Sequence, residues 1–408
     1  MSKPINLTIA VDYLSLIDIS DELFDEDPIN RLLGEYAERG VDSVQWRVSV
    51  LGKLLYHTRL GDRFGEGPFG AADTPGFAAR HGTLCEKAKA VMARMDPMEV
   101  AVRLCRKHGI KCYPWLTIYD DAGYYPYTWS HLIRQHPEYC WKAFDKDVYY
   151  HGVTSYVYPE VVEYRLAQIK ELLGYGGDGL HLCTRSHSRP PGYIEEYLRF
   201  LRTHSWEEWP ATPMHRGLDG MHKACHRQFG FDPPAVQAYR EKTGKDPSPD
   251  DNAWWQFRGQ YLVEFLRKAR ALTRCSGAEL SFGPVAELAM FPREFFAWKQ
   301  LLDEDIVDRL HYGATEAYCG AEEAHREFPE IFESPGRKNY FQSISSSKKS
   351  AVDYIRAFES TGNAQFLDRL DGLTVFEAMC LVARPELWEF VEHLKKAARP
   401  AAKQGVSP

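Results

Sequence analysis

The sequence has no apolar run approaching the roughly 18 residues that a membrane-crossing helix needs, so no helical span is expected. Its nine cysteines are an odd number without paired spacing, which suits a reducing compartment and argues against a disulfide frame. The 15 histidines include no His-x-His or His-Glu-x-x-His, so no metal centre and no cofactor are expected. No Gly-x-Gly-x-x-Gly turn follows a strand candidate, which weakens a dinucleotide-binding open sheet. Basic residues are not in excess: 50 Lys and Arg face 57 Asp and Glu, a net charge of −7, which argues against nucleic acid as the partner. The first residues pass from Met1-Ser2-Lys3-Pro4 straight into an alternating segment, without the cleavage pattern of a signal peptide. Cytoplasmic location is the resulting expectation.

What is present is alternation. Across 408 residues, eight segments read as short strands: 6–13, 42–50, 111–119, the stretch beginning at Gly177, 279–285, 306–312, 338–345 and 372–377. Nearly all are followed by a helical pattern, including 28–39, 96–108, 159–174, 193–203, 251–273, 350–360 and 385–398. Strands alternating with helices argue for a parallel sheet covered on its outer face. The central stretch, from Gly177 through Leu180-His181-Leu182-Cys183 into the loop at Thr184-Arg185, puts leucines on one face and His181, Cys183 and Arg185 on the other. A covered outer face turns those polar groups into a barrel. The economical reading is a single α/β domain, a (β/α)8 TIM barrel spanning 1–398. Its long βα loops are at about 52–95 and 120–158, and 399–408 is a frayed tail. No internal repeat or linker is evident.

Several segments together resemble the bacterial glycosyl hydrolases of the family-ten-like group. They are Tyr158-Pro159-Glu160-Val161, Asp178-Gly179-Leu180-His181-Leu182, Trp255-x-x-Arg258, Leu280-Ser281-Phe282-Gly283-Pro284, Asp308-Arg309-Leu310-His311-Tyr312 and Asp371-Gly372-Leu373-Thr374-Val375-Phe376-Glu377. The resemblance covers roughly residues 5–395 and implies the same barrel and glycan chemistry. It also shows a departure. Many of those relatives carry a carboxylate pair after the central strand, where this chain has Cys183-Thr184.

Glycoside hydrolysis uses two carboxyl groups across the scissile bond, and in this fold they sit at C-terminal strand ends. Glu377, Glu287 and Asp120 are the catalytic candidates, with Asp121 and Glu316 also at such ends. Glu377 follows Leu373-Thr374-Val375-Phe376, where a carboxylate is costly unless it meets a polar cavity. Its period-two phase, in step with Leu373 and Val375, instead points it at the helices unless the strand end bulges. Substrate-binding candidates are Asp12, Gln45, Arg47, Trp115, Tyr119, His181, Arg185, His187, Arg258, His311 and Tyr312. Trp115 and Tyr119 share an inward phase and offer a sugar platform, whereas Trp46 belongs under the helices. Arg185, His187 and Arg189 form a basic cluster suited to a carboxylate or sulfate. The expected partner is therefore a short, anionic oligosaccharide. A non-catalytic glycan-binding barrel and a metal-dependent hydrolase are the alternatives.

Overall fold

The computed structural model of the protein describes residues 5–65, 75–123, 128–145, 149–184, 226–283, 293–314, 334, 336–344, 349–360 and 370–397. Eight strands form a closed barrel: β1 (Asn6–Val11), β2 (Ser43–Arg47), β3 (Lys111–Thr117), β4 (Gly179–Cys183), β5 (Glu279–Gly283), β6 (Arg309–Ala314), β7 (Arg337–Ser343) and β8 (Gly372–Phe376). Neighbours pair in parallel in chain order, and β8 closes onto β1 with Thr8 opposite Thr374. All eight expected strands are present; most end or begin one to a few residues inside the expected bounds, while β6 runs two residues past its expected end and β7 starts one residue before its expected start.

Seven helices follow seven of these strands: α1 (Glu26–Glu38), α2 (Pro97–His108), α3 (Pro159–Leu173), α4 (Asn252–Cys275), α5 (Trp298–Asp303), α6 (Ala351–Ser360) and α7 (Trp388–Ala397). Their ends follow local chemistry. At α2, Asp96 accepts the Met98 N–H at 3.0 Å, Pro97 occupies the first turn, and Gly109 ends the helix at φ 70°, where a side chain would be disfavoured. The outward-facing residues Leu7, Ile9, Val44, Trp46, Leu180, Leu182, Leu373 and Val375 are buried with the helices in one apolar core. Trp46 stacks at a tilt on Tyr13, 4.9 Å between centroids.

The N-terminal rim carries a motif that the sequence reading passed over. Asp42, Asp178, Asp308 and Asp371 each immediately precede an even-numbered strand. Each accepts, through Oδ2, the N–H of a residue in the preceding odd strand: Leu7 at 2.7 Å, Cys112 at 2.9 Å, Leu280 at 2.7 Å and Lys338 at 3.0 Å. Each also donates its own N–H to the carbonyl of that same residue, at 2.8–2.9 Å. The same clasp thus recurs four times around the ring.

The long excursion at 52–95 is also more regular than expected. It holds a 20-residue helix, Pro75–Arg94, whose run of Ala, Lys, Glu and Met is favourable for helix. Small antiparallel hairpins organise the loops: Ser49–Val50 with Lys53–Leu54, Ala122–Gly123 with Thr128–Trp129, and Cys140–Lys142 with Tyr149–Thr154. The helix expected at 193–203 lies outside the described residues.

Candidate active site

The inside of the barrel is polar through much of its depth. Gln45, His181, Ser281, His311 and Thr374 are buried there and hydrogen-bond to one another, with Gln45 Oε1 left without a partner among the described residues. His181 Nδ1 bonds Ser281 Oγ at 2.9 Å, His311 Nδ1 bonds Thr374 Oγ1 at 3.0 Å, and Gln45 Nε2 lies 3.1 Å from His311 Nε2. Because the Gln45 amide can only donate to that ring nitrogen, His311 is assigned as the neutral Nδ1–H tautomer. The two imidazoles meet edge to face, with centroids 4.7 Å apart. Burial lowers the pKa of His181 to about 3. It holds His311 well below the usual imidazole range too, helped by His181 and Arg309. Both rings are neutral at physiological pH.

This placement corrects one expectation. Gln45, His181 and His311 have the inward phase that the sequence indicated, yet they lie inside the barrel rather than on an open sugar site. The cavity beside Gln45 and His311, which also touches Thr8, Ser43 and Arg309, measures about 10 Å³. That is room for about one water and not for a sugar ring. The close fit reaches the strands themselves. A Cβ on Gly179 would fall 2.3 Å from the Tyr113 ring, and one on Gly283, at φ 133°, would fall 2.5 Å from the His311 carbonyl oxygen.

Trp115 connects this layer to the mouth. It belongs to a small apolar group with Ala10, Cys183 and Phe376, meets His181 at 6.2 Å, and carries the Arg47 guanidinium 5.1 Å from its ring centroid. Such a cation over an indole is favourable, more so when dry. Arg47, at the end of β2, donates through Nη1 to Asp12, through Nη2 to Asp120 Oδ2 at 3.2 Å, and through Nε to the Ser49 carbonyl at 3.0 Å. Asp12 follows β1 and Asp120 follows β3, so three successive strand ends converge on one guanidinium. Burial pulls the Arg47 pKa down, but Asp12 and Asp120 outweigh it and raise the group above its ordinary value. Asp120 Oδ2 also accepts the Leu51 N–H at 3.0 Å.

The neighbouring aspartate faces another way. Asp121 pairs with Arg165 of α3 and accepts from Thr154 at 3.1 Å. Burial pushes its carboxyl up despite Arg165. Asp121 therefore ties the loop to α3, and Asp120 alone of the two joins Arg47.

Glu377 is half-buried, follows Phe376 across a cis peptide bond, and caps the short helix Ala378–Ala383 with its carbonyl, which accepts the Cys380 N–H at 3.1 Å. The Cys380 thiol is pushed up to about 11, by burial first and then by the Glu377 charge.

Two binding candidates lie elsewhere. Tyr119 comes two residues after β3 ends, and its ring packs on Tyr156 at 5.6 Å within the outer core. Strand alternation no longer governs its direction, so it forms no platform at the mouth. Arg258 is buried on α4, where it pairs with Asp232 at 2.6 Å and lies 5.1 Å from the Trp141 ring centroid. A ligand at the mouth has no access to a guanidinium so enclosed. Glu287, Arg185 and His187 lie outside the described residues, and so does the side chain of Tyr312, whose backbone is in β6. Among the described residues no three His, Cys, Asp or Glu side chains are grouped to hold a metal ion, and no helix is long and apolar enough to cross a membrane.

No family model matches the chain, and no curated protein does. Solved structures are similar to it in fold. The catalytic domain of a beta-amylase from Paenibacillus polymyxa superposes with a TM-score of 0.53 at 10% identity, covering 98% of this chain and 100% of that one. An exo-beta-N-acetylglucosaminidase from Vibrio harveyi gives 0.50 at 9% identity over 99% of this chain and 56% of that one. Alpha-L-fucosidase isoenzyme 2 from Paenibacillus thiaminolyticus gives 0.50 at 10%, over 97% and 49%. The chain thus spans the whole of the first and about half of the other two. At these identities the shared property is architecture, a closed (β/α)8 barrel.

Proposed function

We propose that the protein is a glycoside hydrolase that takes a short oligosaccharide at the C-terminal mouth of its barrel, with no cofactor. The observation that carries this reading is the Asp12–Arg47–Asp120 node. It sets two carboxylates at the strand ends where this fold keeps its chemistry, beside the indole of Trp115. Asp120, hydrogen-bonded by Arg47 and Leu51 N–H, is suited to remain ionised and to serve as nucleophile or base. Glu377, half-buried after the apolar end of β8, is suited to the acid. The barrel neighbours support the reading as architecture: a beta-amylase, an N-acetylglucosaminidase and a fucosidase are built on the same frame. A carboxylated or sulfated substrate, and a role for Glu287, Arg185 and His187, remain part of the proposal from sequence. The test is a screen of chromogenic glycosides and oligosaccharides, with turnover of the wild type compared with that of Asp120→Asn and Glu377→Gln. Full activity in both variants would refute the assignment.

One observation favours a second reading, a glycan-binding barrel without turnover. Cys183 is packed with Ala10, Trp115 and Phe376, and Thr184 is buried beside it, where the resembling enzymes carry a carboxylate pair. Oligosaccharide binding with no hydrolysis of any glycoside would decide for it.

A further inference from the structure

Arg47 is a large cation where a barrel of this kind normally packs branched apolar side chains. Its side chain is 1% exposed, so its charge must be balanced inside the protein. The balance comes from both sides: Asp12 from the end of β1, Asp120 from the residues after β3. With Nε committed to the Ser49 carbonyl, all three guanidinium nitrogens are engaged. A planar fork held at three points sets the spacing of the two acids and the orientation of each.

Two polar atoms next to this fork have no hydrogen-bond partner among the described residues: Asp12 Oδ1 and the Trp115 indole nitrogen. Both residues are nearly inaccessible, at 5% and 1% exposure. A buried acceptor and a buried donor left over together are costly unless a ligand or water completes them.

We propose that Arg47 is a positioning residue that fixes Asp12 and Asp120 as a pair of carboxylates and excludes both aspartates from proton donation. The inference rests on the carbohydrate-site reading above and divides the labour within it. The proton for the leaving oxygen then comes from a different strand, and the proposal gives that role to Glu377 after β8. The proton passes from Glu377 to the glycosidic oxygen as the C–O bond breaks, while Asp120 supplies the electron pair to the anomeric carbon, directly or through water. Among the described residues, the titratable groups that bear on Arg47 are Asp12 after β1, Asp120 after β3 and Cys183 at the end of β4. A buried guanidinium beside carboxylates favours their charged form.

The experiment is carboxyl NMR of the full chain labelled with ¹³C-aspartate, assigned with Asp12→Asn and Asp120→Asn, and titrated for wild type, Arg47→Lys and Arg47→Met. The quantity read is the change in the titration of each carboxylate from wild type to variant. In Arg47→Met at least one should take up its proton at least tenfold more readily, with Arg47→Lys in between. The acidic limb of the turnover profile should move the same way. Unchanged titration in a folded variant would overturn the proposal. If Arg47→Met does not fold, Arg47→Lys alone decides, and titration of both carboxylates as in the wild type overturns the proposal. If the titration behaves as expected but no glycoside is bound or cleaved, the carbohydrate reading fails and the clamp itself stands.

Discussion

Two buried arginine–aspartate pairs, Arg47 with Asp12 and Asp120 at the barrel mouth and Arg258 with Asp232 in the outer shell, are equally dry and differ in what they leave over. Both guanidinium side chains are 1% exposed. In the shell, Asp232 uses both oxygens: Oδ1 accepts the Lys142 N–H at 2.8 Å, and Oδ2 accepts Ser155 Oγ and Arg258, each at 2.6 Å. Trp141, Trp254 and Tyr261 enclose the arginine. The carboxylate of this pair is complete without a ligand, and it fastens the hairpin at 140–154 to α4. At the mouth, Asp12 keeps an oxygen with no hydrogen-bond partner among the described residues. Burial alone therefore does not mark a site, because a buried pair is often structural. An open atom is no mark by itself either, since Asp121 Oδ1 and Arg258 Nε also lack a hydrogen-bond partner among the described residues; what sets the mouth pair apart is two carboxylates from two strand ends on one guanidinium.

The largest effect expected is on the shell pair. Arg258→Ala strands the Asp232 carboxylate and should cost about 3–5 kcal/mol of stability, read from urea unfolding, while the folded fraction keeps its specific activity. A proportional loss of activity would erase the contrast. Next come Asp120→Asn and Glu377→Gln, each expected to lower turnover on the order of a hundredfold with a much smaller change in unfolding midpoint. If Glu377 serves instead as the structural partner of an arginine, the melting temperature falls and initial rates hold.

A pH experiment sharpens the comparison from inside the barrel. Burial depresses His181 to about 3 and holds His311 well below its ordinary value, so the unfolded chain binds protons near pH 6.5 that the folded barrel refuses. Stability from these rings is complete above about pH 6.5 and falls as pH drops toward the folded value. For His181 the slope is about 1.4 kcal/mol per pH unit. Unfolding at about pH 5.5 should take up close to two protons from this pair, and flat stability from pH 7 to 5 would contradict neutral imidazoles. The smallest effect is Ser155→Ala, which removes one of several partners of Asp232 and should cost about 1 kcal/mol with no change in turnover.

Much of the fold was legible because alternation survives burial: Leu180 and Leu182 face out, His181 and Cys183 face in, and β1, β2 and β8 put Leu7 and Ile9, Val44 and Trp46, and Leu373 and Val375 in the same outer core. The same phase joined Arg47 to Gln45 and brought Asp12, Arg47 and Asp120 to one end. Depth was not legible. A period of two separates inside from outside and says nothing of height, so Gln45 and His311 read like Arg47 although they lie deeper, beside a cavity too small for a sugar. Tyr119 was misplaced for a related reason: β3 stops at Thr117, and alternation cannot be carried beyond the last ladder pair. Arg258 was drawn in by a motif on a helix, where neither strand phase nor strand end applies. The rim aspartates did have a signal in the sequence. Val41-Asp42-Ser43-Val44, Gly177-Asp178-Gly179-Leu180, Val307-Asp308-Arg309-Leu310 and Leu370-Asp371-Gly372-Leu373 share an Asp two places before an outward apolar residue, too short a likeness to register as a repeat.

Those four aspartates divide the ring of strands into couples. Each side-chain clasp joins an odd strand to the even one after it, β1 to β2, β3 to β4, β5 to β6 and β7 to β8. Between couples the contact changes in kind. The carbonyls of Asp42, Asp178 and Asp371 accept the first N–H of β3, β5 and β1, at 3.0, 3.1 and 3.4 Å, while at the fourth seam the Asp308 carbonyl accepts the Arg337 side chain at 3.2 Å. The barrel is in this sense a ring of four strand–helix–strand modules, each stapled by a carboxylate and joined to the next by main chain or, once, by an arginine. Replacing one aspartate by alanine would open one staple and leave three, so the ring should loosen by quarters rather than all at once.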